Sequence, residues 1–254
     1  MIDLHCHLLP GVDDGSRSVA QSVEVLARMA TEGVTDIVLT PHLEASRILE
    51  GPPPAHDEAF AALTISAPRS IRLHRGAEVM LDKALTPRAV STRRVTLAGT
   101  RHVLVEFTRL VAGRSVSAAV EQLVASGLVP LVAHPERYAA CTLSMVAQWR
   151  VLGALTQVDA NTLFEGTTRG RRARALLAAG LADVLAADNH GDKRSLAIPW
   201  GRLVEAGFEA EARLLMRDNP AAILADKRSE LVPGFEIPVS LLSRLRGWIR
   251  EVQE

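Results

Sequence analysis

Three stretches of this chain share one pattern, and that pattern sets the fold class. Gly33-Val34-Thr35-Asp36-Ile37-Val38-Leu39, Gly127-Leu128-Val129-Pro130-Leu131-Val132-Ala133 and Gly180-Leu181-Ala182-Asp183-Val184-Leu185-Ala186 each place a glycine before a short loop and an apolar run. A glycine there ends a helix in the left-handed conformation, and the run behind it reads as a strand buried on both faces. Similar runs recur at about residues 2–6, 36–40, 71–77, 102–106, 129–133, 155–159 and 183–187. Most are separated by enough residues for a helix. Strands alternating with helices build βαβ units and a mainly parallel sheet. Seven such strands suit a closed, slightly short barrel better than an open sheet, although sequence alone leaves both open.

The clearest helix is Val19 to Glu32, with Val19, Val23, Leu26 and Ala30 on one face. Ser18 and Gln21 have capping-box spacing at its start, and Gly33 ends it. Gly51-Pro52-Pro53-Pro54 breaks regular structure and reads as a long loop after the second strand. After Asp188 the pattern is helical to the end, and Val239–Glu254 reads as an amphipathic tail helix packed on the body. No linker divides the chain, so residues 1–254 are expected to form one domain. Hydrophobic residues make up 48%, enough for a large core without disulfides. The 29 basic and 29 acidic residues leave no basic excess, which argues against a nucleic-acid partner. Cys6 and Cys141 make no disulfide framework. No apolar run approaches 18 residues and no signal-peptide pattern opens the chain, so a cytoplasmic protein without a membrane span is expected.

The polar residues that end the strands carry the chemistry. The first strand ends in His5-Cys6-His7, the second in Thr40-Pro41-His42, the third in Gly76-Ala77-Glu78 and the fourth in Glu106. The fifth ends in His134 and the seventh in Asp188-Asn189-His190. The sixth, ending near Asn161, brings no strong ligand. Barrel enzymes place their reactive groups at this end of the strands. A lone histidine or glutamate at a strand end is usually just solvated or satisfied; six strand ends in register point to a metal centre. Mixed imidazole and carboxylate donors suit Mn²⁺, Fe²⁺ or Zn²⁺, and so many ligands call for two or three ions. Asp3 shares the alternation of His5 and His7, so it is expected to orient an imidazole. A carboxylate of Asp13-Asp14-Gly15 is within loop reach of the centre. In His134-Pro135-Glu136-Arg137-Tyr138, the Arg137 guanidinium suits a phosphoryl oxyanion. His56, His74 and His102 fall away from the strand ends and take no part in this ring.

With these residues in view, the chain resembles the PHP (polymerase and histidinol phosphatase) superfamily. Within it, the match is to the bacterial CpsB/CapC-type manganese-dependent protein-tyrosine phosphatases of polysaccharide biosynthesis. The runs from His5 to Gly15 and from His134 to Tyr138 are especially similar, and the resemblance extends to about residue 226. It implies an α/β fold of the distorted (β/α)7 TIM-like barrel type, with up to three metal ions. His5, His7, Glu78 and Asp188 would hold one ion, and Glu78, Glu106 and His134 a second. Asp14, His42 and His190 would hold the third, and Arg137 would bind phosphate. A phosphotyrosine protein would be the substrate, with a membrane-associated bacterial tyrosine kinase as a candidate partner and oligomers allowed. The chain departs from the family at Leu43, where many relatives carry a second histidine, at Ala187, where a serine is frequent, and across Phe164–Thr168. A PHP phosphatase acting on histidinol phosphate or a nucleotide is the main rival. An amidohydrolase is disfavoured by the two strand-end glutamates and the missing strand-end lysine. Cysteine-dependent phosphatases carry an arginine six residues after the nucleophile; Val12 and Ala147 stand there instead.

Overall fold

The computed structural model describes residues 1–48 and 51–238. The helix expected at 239–254 lies outside the described residues. The fold is mixed α/β with two parallel sheets. Along the chain the strands are β1 (Ile2–Cys6), β2 (Asp36–Leu39), β3 (His42–Glu44), β4 (Arg72–Arg75), β5 (Glu78–Met80), β6 (His102–Glu106), β7 (Val129–Ala133), β8 (Leu155–Asp159) and β9 (Val184–Ala186). Helices α1 (Val19–Thr31), α2 (Pro54–Ser66), α3 (Pro87–Thr92), α4 (Gly113–Ala125), α5 (Leu143–Val151), α6 (Thr168–Ala178) and α7 (Ala197–Glu205) are interleaved with them. Helix α8 (Glu209–Arg213) runs through a π-turn into α9 (Asn219–Leu224).

One sheet has the order β1-β2-β4, the other β3-β5-β6-β7-β8-β9. The runs expected as the second and third strands are therefore each broken in two. Pro41 has no N–H for a ladder, so the second run stops at Leu39 and restarts at His42. At the other break, a Cβ on Gly76 would lie 2.7 Å from Cγ1 of Val38, so only a bare backbone passes there. Glu78 N–H donates to the Pro41 carbonyl at 3.1 Å, which carries the pairing across the breaks. His42 and Glu78 thus open new strands rather than end old ones.

The first and last strands meet at the same end. Asp188 N–H donates to the His5 carbonyl (3.0 Å) and His7 N–H to the Asn189 carbonyl (2.7 Å). Asp3 accepts from the backbone N–H groups of His5 and Ala187, both at 3.2 Å. It therefore staples β1 to β9 and does not orient an imidazole as expected. The reason is a bulge: Asp3 pairs with Ile37 but Cys6 with Leu39, three residues against two. One inserted residue reverses the alternation, so Asp3 shares a face with Ile37 and Cys6 while His5 takes the opposite one.

Helix α1 matches its expected span. Ser18 Oγ accepts from Gln21 N–H at 3.2 Å. Its most buried residues are Ser22, Val25, Leu26 and Met29, so the inward face is turned relative to the expected Val19-Val23-Leu26-Ala30 stripe. Gly33, Gly127 and Gly180 all have positive φ, as their shared pattern requires. Pro54 is not in a loop; it opens α2, where a missing N–H costs nothing. The helical pattern also stops early. Residues 227–238 carry no helix, and Val232, Phe235 and Ile237 are buried against the main core. No helix among the described residues is long and apolar enough to cross a membrane.

A second core cluster, including Leu4, Val38, Leu104, Leu131 and Val184, lies between the strands and is closed by Ile223 of α9. His102 sits near this end of the fold, away from the metal ligands. Burial pushes its imidazole down to about 4, with Asp226 opposing and Arg101 assisting. The unfolded chain, near the ordinary 6.5, then binds more protons between those limits, so stability is lost as pH falls through that window. In urea melts between pH 7.5 and 4.5, His102→Gln should lose less stability than the parent, by about 1–3 kcal/mol.

Candidate metal centre

Every residue expected as a ligand reaches one place. His5 and His7 Nε2 stand 3.1 Å apart. The same two atoms lie 3.1 and 3.3 Å from Glu78 Oε2, and 3.3 and 3.4 Å from Asp188 Oδ1. His134 Nε2 lies 2.8 Å from the other Glu78 oxygen. His42 Nδ1 is 3.1 Å from Glu78 Oε2 and 2.9 Å from Glu106 Oε1. Asp14 Oδ1 is 3.5 Å from both His42 Nε2 and His190 Nε2. Four groups of donors follow: His5, His7 and Asp188; His5, Glu78 and His134; His42, Glu78 and Glu106; and His7, Asp14, His42 and His190.

These spacings fit divalent ions. Donors about 2.0–2.2 Å from an ion stand roughly 3.0–3.5 Å from one another. The imidazole tautomers agree. His5 Nδ1 lies 2.9 Å from Gln157 Oε1 and His7 Nδ1 2.8 Å from Asp13 Oδ2. His190 Nδ1 lies 3.0 Å from the Asp188 carbonyl. Each Nδ1 thus donates to an acceptor, which directs Nε2 of each ring to the centre. Two Nε2 atoms 3.1 Å apart need a proton or a metal ion between them. Glu78 Oε2 is buried and has no hydrogen-bond partner, which a cation would also satisfy.

The centre is almost dry: Glu78, His5 and His7 are fully buried. Burial alone would raise the Glu78 carboxyl; the charges of His5 and His134 outweigh it and hold it well below its usual range. Burial likewise opposes Asp188, but His5, His7 and Arg137 hold it far below. His134 (φ 31°) and Asp188 (φ 50°) both adopt left-handed backbone, at a cost of order 1–3 kcal/mol each. Both are candidate ligands, turned inward at a strand end.

Arg137 sits at the rim and is ion-paired with Asp188 and, at 3.2 Å, with Asp159. Glu136 is fully buried, accepts from Asp159 N–H at 2.9 Å, and is pushed by burial up to about 8. Tyr138 Oη donates to the Ala133 carbonyl at 2.8 Å and accepts from Phe107 N–H, fastening the turn that carries Arg137.

Sequence reasoning overlooked three contributors, Gln157, Asp159 and Arg194, and left open which of Asp13 and Asp14 would reach the centre. Gln157 and Asp159 belong to β8, the strand thought to bring no ligand; their alternation on one strand face was the available signal. Asp13 serves His7 and the His42 N–H, while its neighbour Asp14 faces the imidazoles. Arg194 Nη1 reaches Asp188 Oδ2 at 3.3 Å, so a second guanidinium flanks the carboxylate that Arg137 holds. Gly15 explains the tight turn beneath these acids: a Cβ there would lie 2.0 Å from the His7 carbonyl oxygen.

Residues 1–225 match the family described as "Capsular polysaccharide synthesis, CpsB/CapC". The chain belongs to the CpsB/CapC family. It is 27% identical to the tyrosine-protein phosphatase YwqE of Bacillus subtilis over 238 residues, covering 89% of this chain and 92% of the relative. It is 27% identical to the tyrosine-protein phosphatase CpsB of Streptococcus pneumoniae over 242 residues, 89% of this chain and 99% of that one. Among solved structures, one reported with YwqE and CpsB as "unique metal-dependent tyrosine phosphatases" superposes with a TM-score of 0.79 at 23% identity, covering 94% of this chain and all of that one. The phosphotriesterase of Mycobacterium tuberculosis shares the fold more distantly, with a TM-score of 0.57 at 12% identity over 88% of this chain and 93% of that one.

Ligands that face an ion must be deprotonated, so metal and proton compete here. Removing Asp13, which orients His7, should weaken metal binding about 10–100-fold while the fold persists. Equilibrium dialysis of Asp13→Ala with Mn²⁺, beside its circular dichroism spectrum, checks this.

Proposed function

We propose that this CpsB/CapC-family chain is a metal-dependent protein-tyrosine phosphatase serving capsular or exopolysaccharide synthesis. The observation that carries the proposal is the convergence of nine imidazole and carboxylate ligands beside two guanidiniums that share Asp188. His5, His7, Glu78 and Asp188 would hold one ion; Glu78, Glu106 and His134 a second; and Asp14, His42 and His190 a third. The donor set suits Mn²⁺, Fe²⁺ or Zn²⁺, and the resemblance to manganese-dependent relatives favours Mn²⁺. The names of the relatives agree, since they are phosphatases of phosphotyrosine. The tertiary frame is read as one distorted (β/α)7 barrel in a single domain, supported by the β1–β9 bridge and by strand breaks that leave seven strand paths. A cytoplasmic location and docking to a membrane-associated tyrosine kinase belong to the same reading.

Bound divalent ions supply Lewis acidity toward phosphoryl oxygens and lower the pKa of water from 15.7 toward roughly 7. The chain supplies the rest. Arg137 has a fork of N–H donors at the rim, fixed by Asp159 and Asp188, so it meets phosphoryl oxygens without reorganising. Arg194 adds a second positive group on the same side. Gln157 and Asp13 keep His5 and His7 in the tautomer that faces inward. A phenolate leaves readily, so no dedicated acid is required. The cysteines are unsuited to attack: both are buried, and burial pushes Cys6 well above the ordinary thiol range and Cys141 up to about 11.

The metal-loaded protein should hydrolyse a phosphotyrosine peptide, lose activity on exhaustive chelation and regain it with Mn²⁺. Full activity after metal loss confirmed by elemental analysis would sink the proposal. Arg137→Ala should lower turnover about 10²–10³-fold at near-normal metal content. Loss of metal in that variant would assign Arg137 a structural role instead.

A further inference from the structure

The entrance to the metal centre is a cavity of about 690 Å³, with Asp14, His42 and Glu106 on one side and Leu43, Ile48 and Met80 on the other. A second cavity, of about 470 Å³, abuts it. His56 belongs to the wall of both, and the adjacent Pro52 and Pro53 stand one in each. The strand break joins them too: Pro41 lines the second cavity and His42, the next residue, lines the first.

The second cavity is cationic. Arg75, Arg93 and Arg94 line it, against Asp57 as its one carboxylate. Asp57 is divided, with one oxygen paired to Arg75 and the other to Arg94 at 2.7 Å. One carboxylate cannot neutralise two guanidiniums. Arg93 has its acid, Asp226, at 3.8 Å and outside the cavity wall. The floor is apolar, formed by Leu9, Leu39, Phe60 and Leu73, and the Arg75 guanidinium lies 4.0 Å over the Phe60 ring. Gly51 passes close to the stem of Arg94: a Cβ there would stand 3.1 Å from Cβ and Cδ of Arg94. Between the cavities, His56 is 7% exposed, and its Nδ1 is buried without a hydrogen-bond partner.

Fixed guanidiniums over an apolar floor suit a carboxylate carried on an aliphatic stem, which can use both surfaces. His56, part of the wall of both cavities, marks where a peptide occupying both would cross. We propose that the second cavity is a substrate subsite that takes acidic side chains flanking the phosphotyrosine, with the peptide passing across His56. The inference rests on the phosphatase reading above.

The test uses the full-length, metal-loaded protein with three substrates: a phosphotyrosine peptide flanked by glutamates, the same peptide flanked by alanines, and p-nitrophenyl phosphate. The acidic peptide should be favoured about five- to tenfold in kcat/KM, mainly through KM, and less so at high salt. In Arg93→Gln/Arg94→Gln that preference should fall toward one, with p-nitrophenyl phosphate turnover and melting temperature unchanged. Equal kcat/KM for the two peptides in the parent protein, with p-nitrophenyl phosphate still cleaved, overturns the subsite alone. A preference that survives in the variant overturns it as well. So does a variant that loses p-nitrophenyl phosphate turnover, because the arginines would then act through the metal centre or the fold. No turnover of any of the three esters overturns the phosphatase reading and the subsite with it.

Discussion

The carboxylate of Glu78 is the constraint around which the rest of this protein is arranged. It is fully buried and has four imidazoles close by: His5 in β1, His42 in β3, and His7 and His134 just past the ends of β1 and β7. An isolated charge so placed costs several kcal/mol after relaxation, and only a close positive charge repays that. With Asp188 and Glu106 nearby, protonated imidazoles and divalent cations are the available answers. Gln157, Asp13 and the Asp188 carbonyl each claim an Nδ1 proton, which turns Nε2 of His5, His7 and His190 inward, where it donates to a carboxylate when protonated and can bind an ion when not.

The frame pays local costs to build this point. Two strands are interrupted so that His42 and Glu78 start afresh at a depth where their side chains meet those of His5 and His134. A bulge in β1 reverses the alternation between Asp3 and His5, sending the first to the backbone of β9 and the second to the centre. His134 and Asp188 accept left-handed backbone. Each departure from regular geometry falls within a few residues of a candidate ligand. Strain of this kind persists where the surrounding structure over-determines it.

Charge also organises the rim. Asp188 faces imidazoles through one oxygen and two guanidiniums through the other. It therefore links the imidazole cluster to the arginines at the rim within a single side chain. Arg137 is held by a turn that Tyr138 and Glu136 fasten, both fully buried and both bonded to backbone. The conspicuous His-Pro-Glu-Arg-Tyr run thus divides its labour: one candidate ligand, one guanidinium at the rim and two residues that position them.

Most strand positions, the α1 span, the parallel sense and the nine residues that converge at the centre were legible in the sequence. Apolar runs and strand-end polar residues are local signals, and a buried strand can be read without knowing its neighbours. Asp3, Gln157 and Arg194 were not legible in their roles. The first was misplaced by a bulge that leaves no mark on the residue alternation. The second is an ordinary amide on a strand whose end looked empty. The third lies in a loop after the last ligand pair. The non-helical stretch after residue 226 escaped because packing against α6 and the core outweighs local pattern there; the Pro54 helix start was a readable local signal, since proline suits the first helical position. By itself, then, the sequence determined which side chains could serve a metal and at which ends of which strands they stand. Only the tertiary structure decided which ring nitrogens face one another, which acid holds which ring, and that β1 and β9 meet, because those depend on how the chain folds back on itself rather than on local pattern, with the β1–β9 and His5–Gln157 contacts spanning more than a hundred positions.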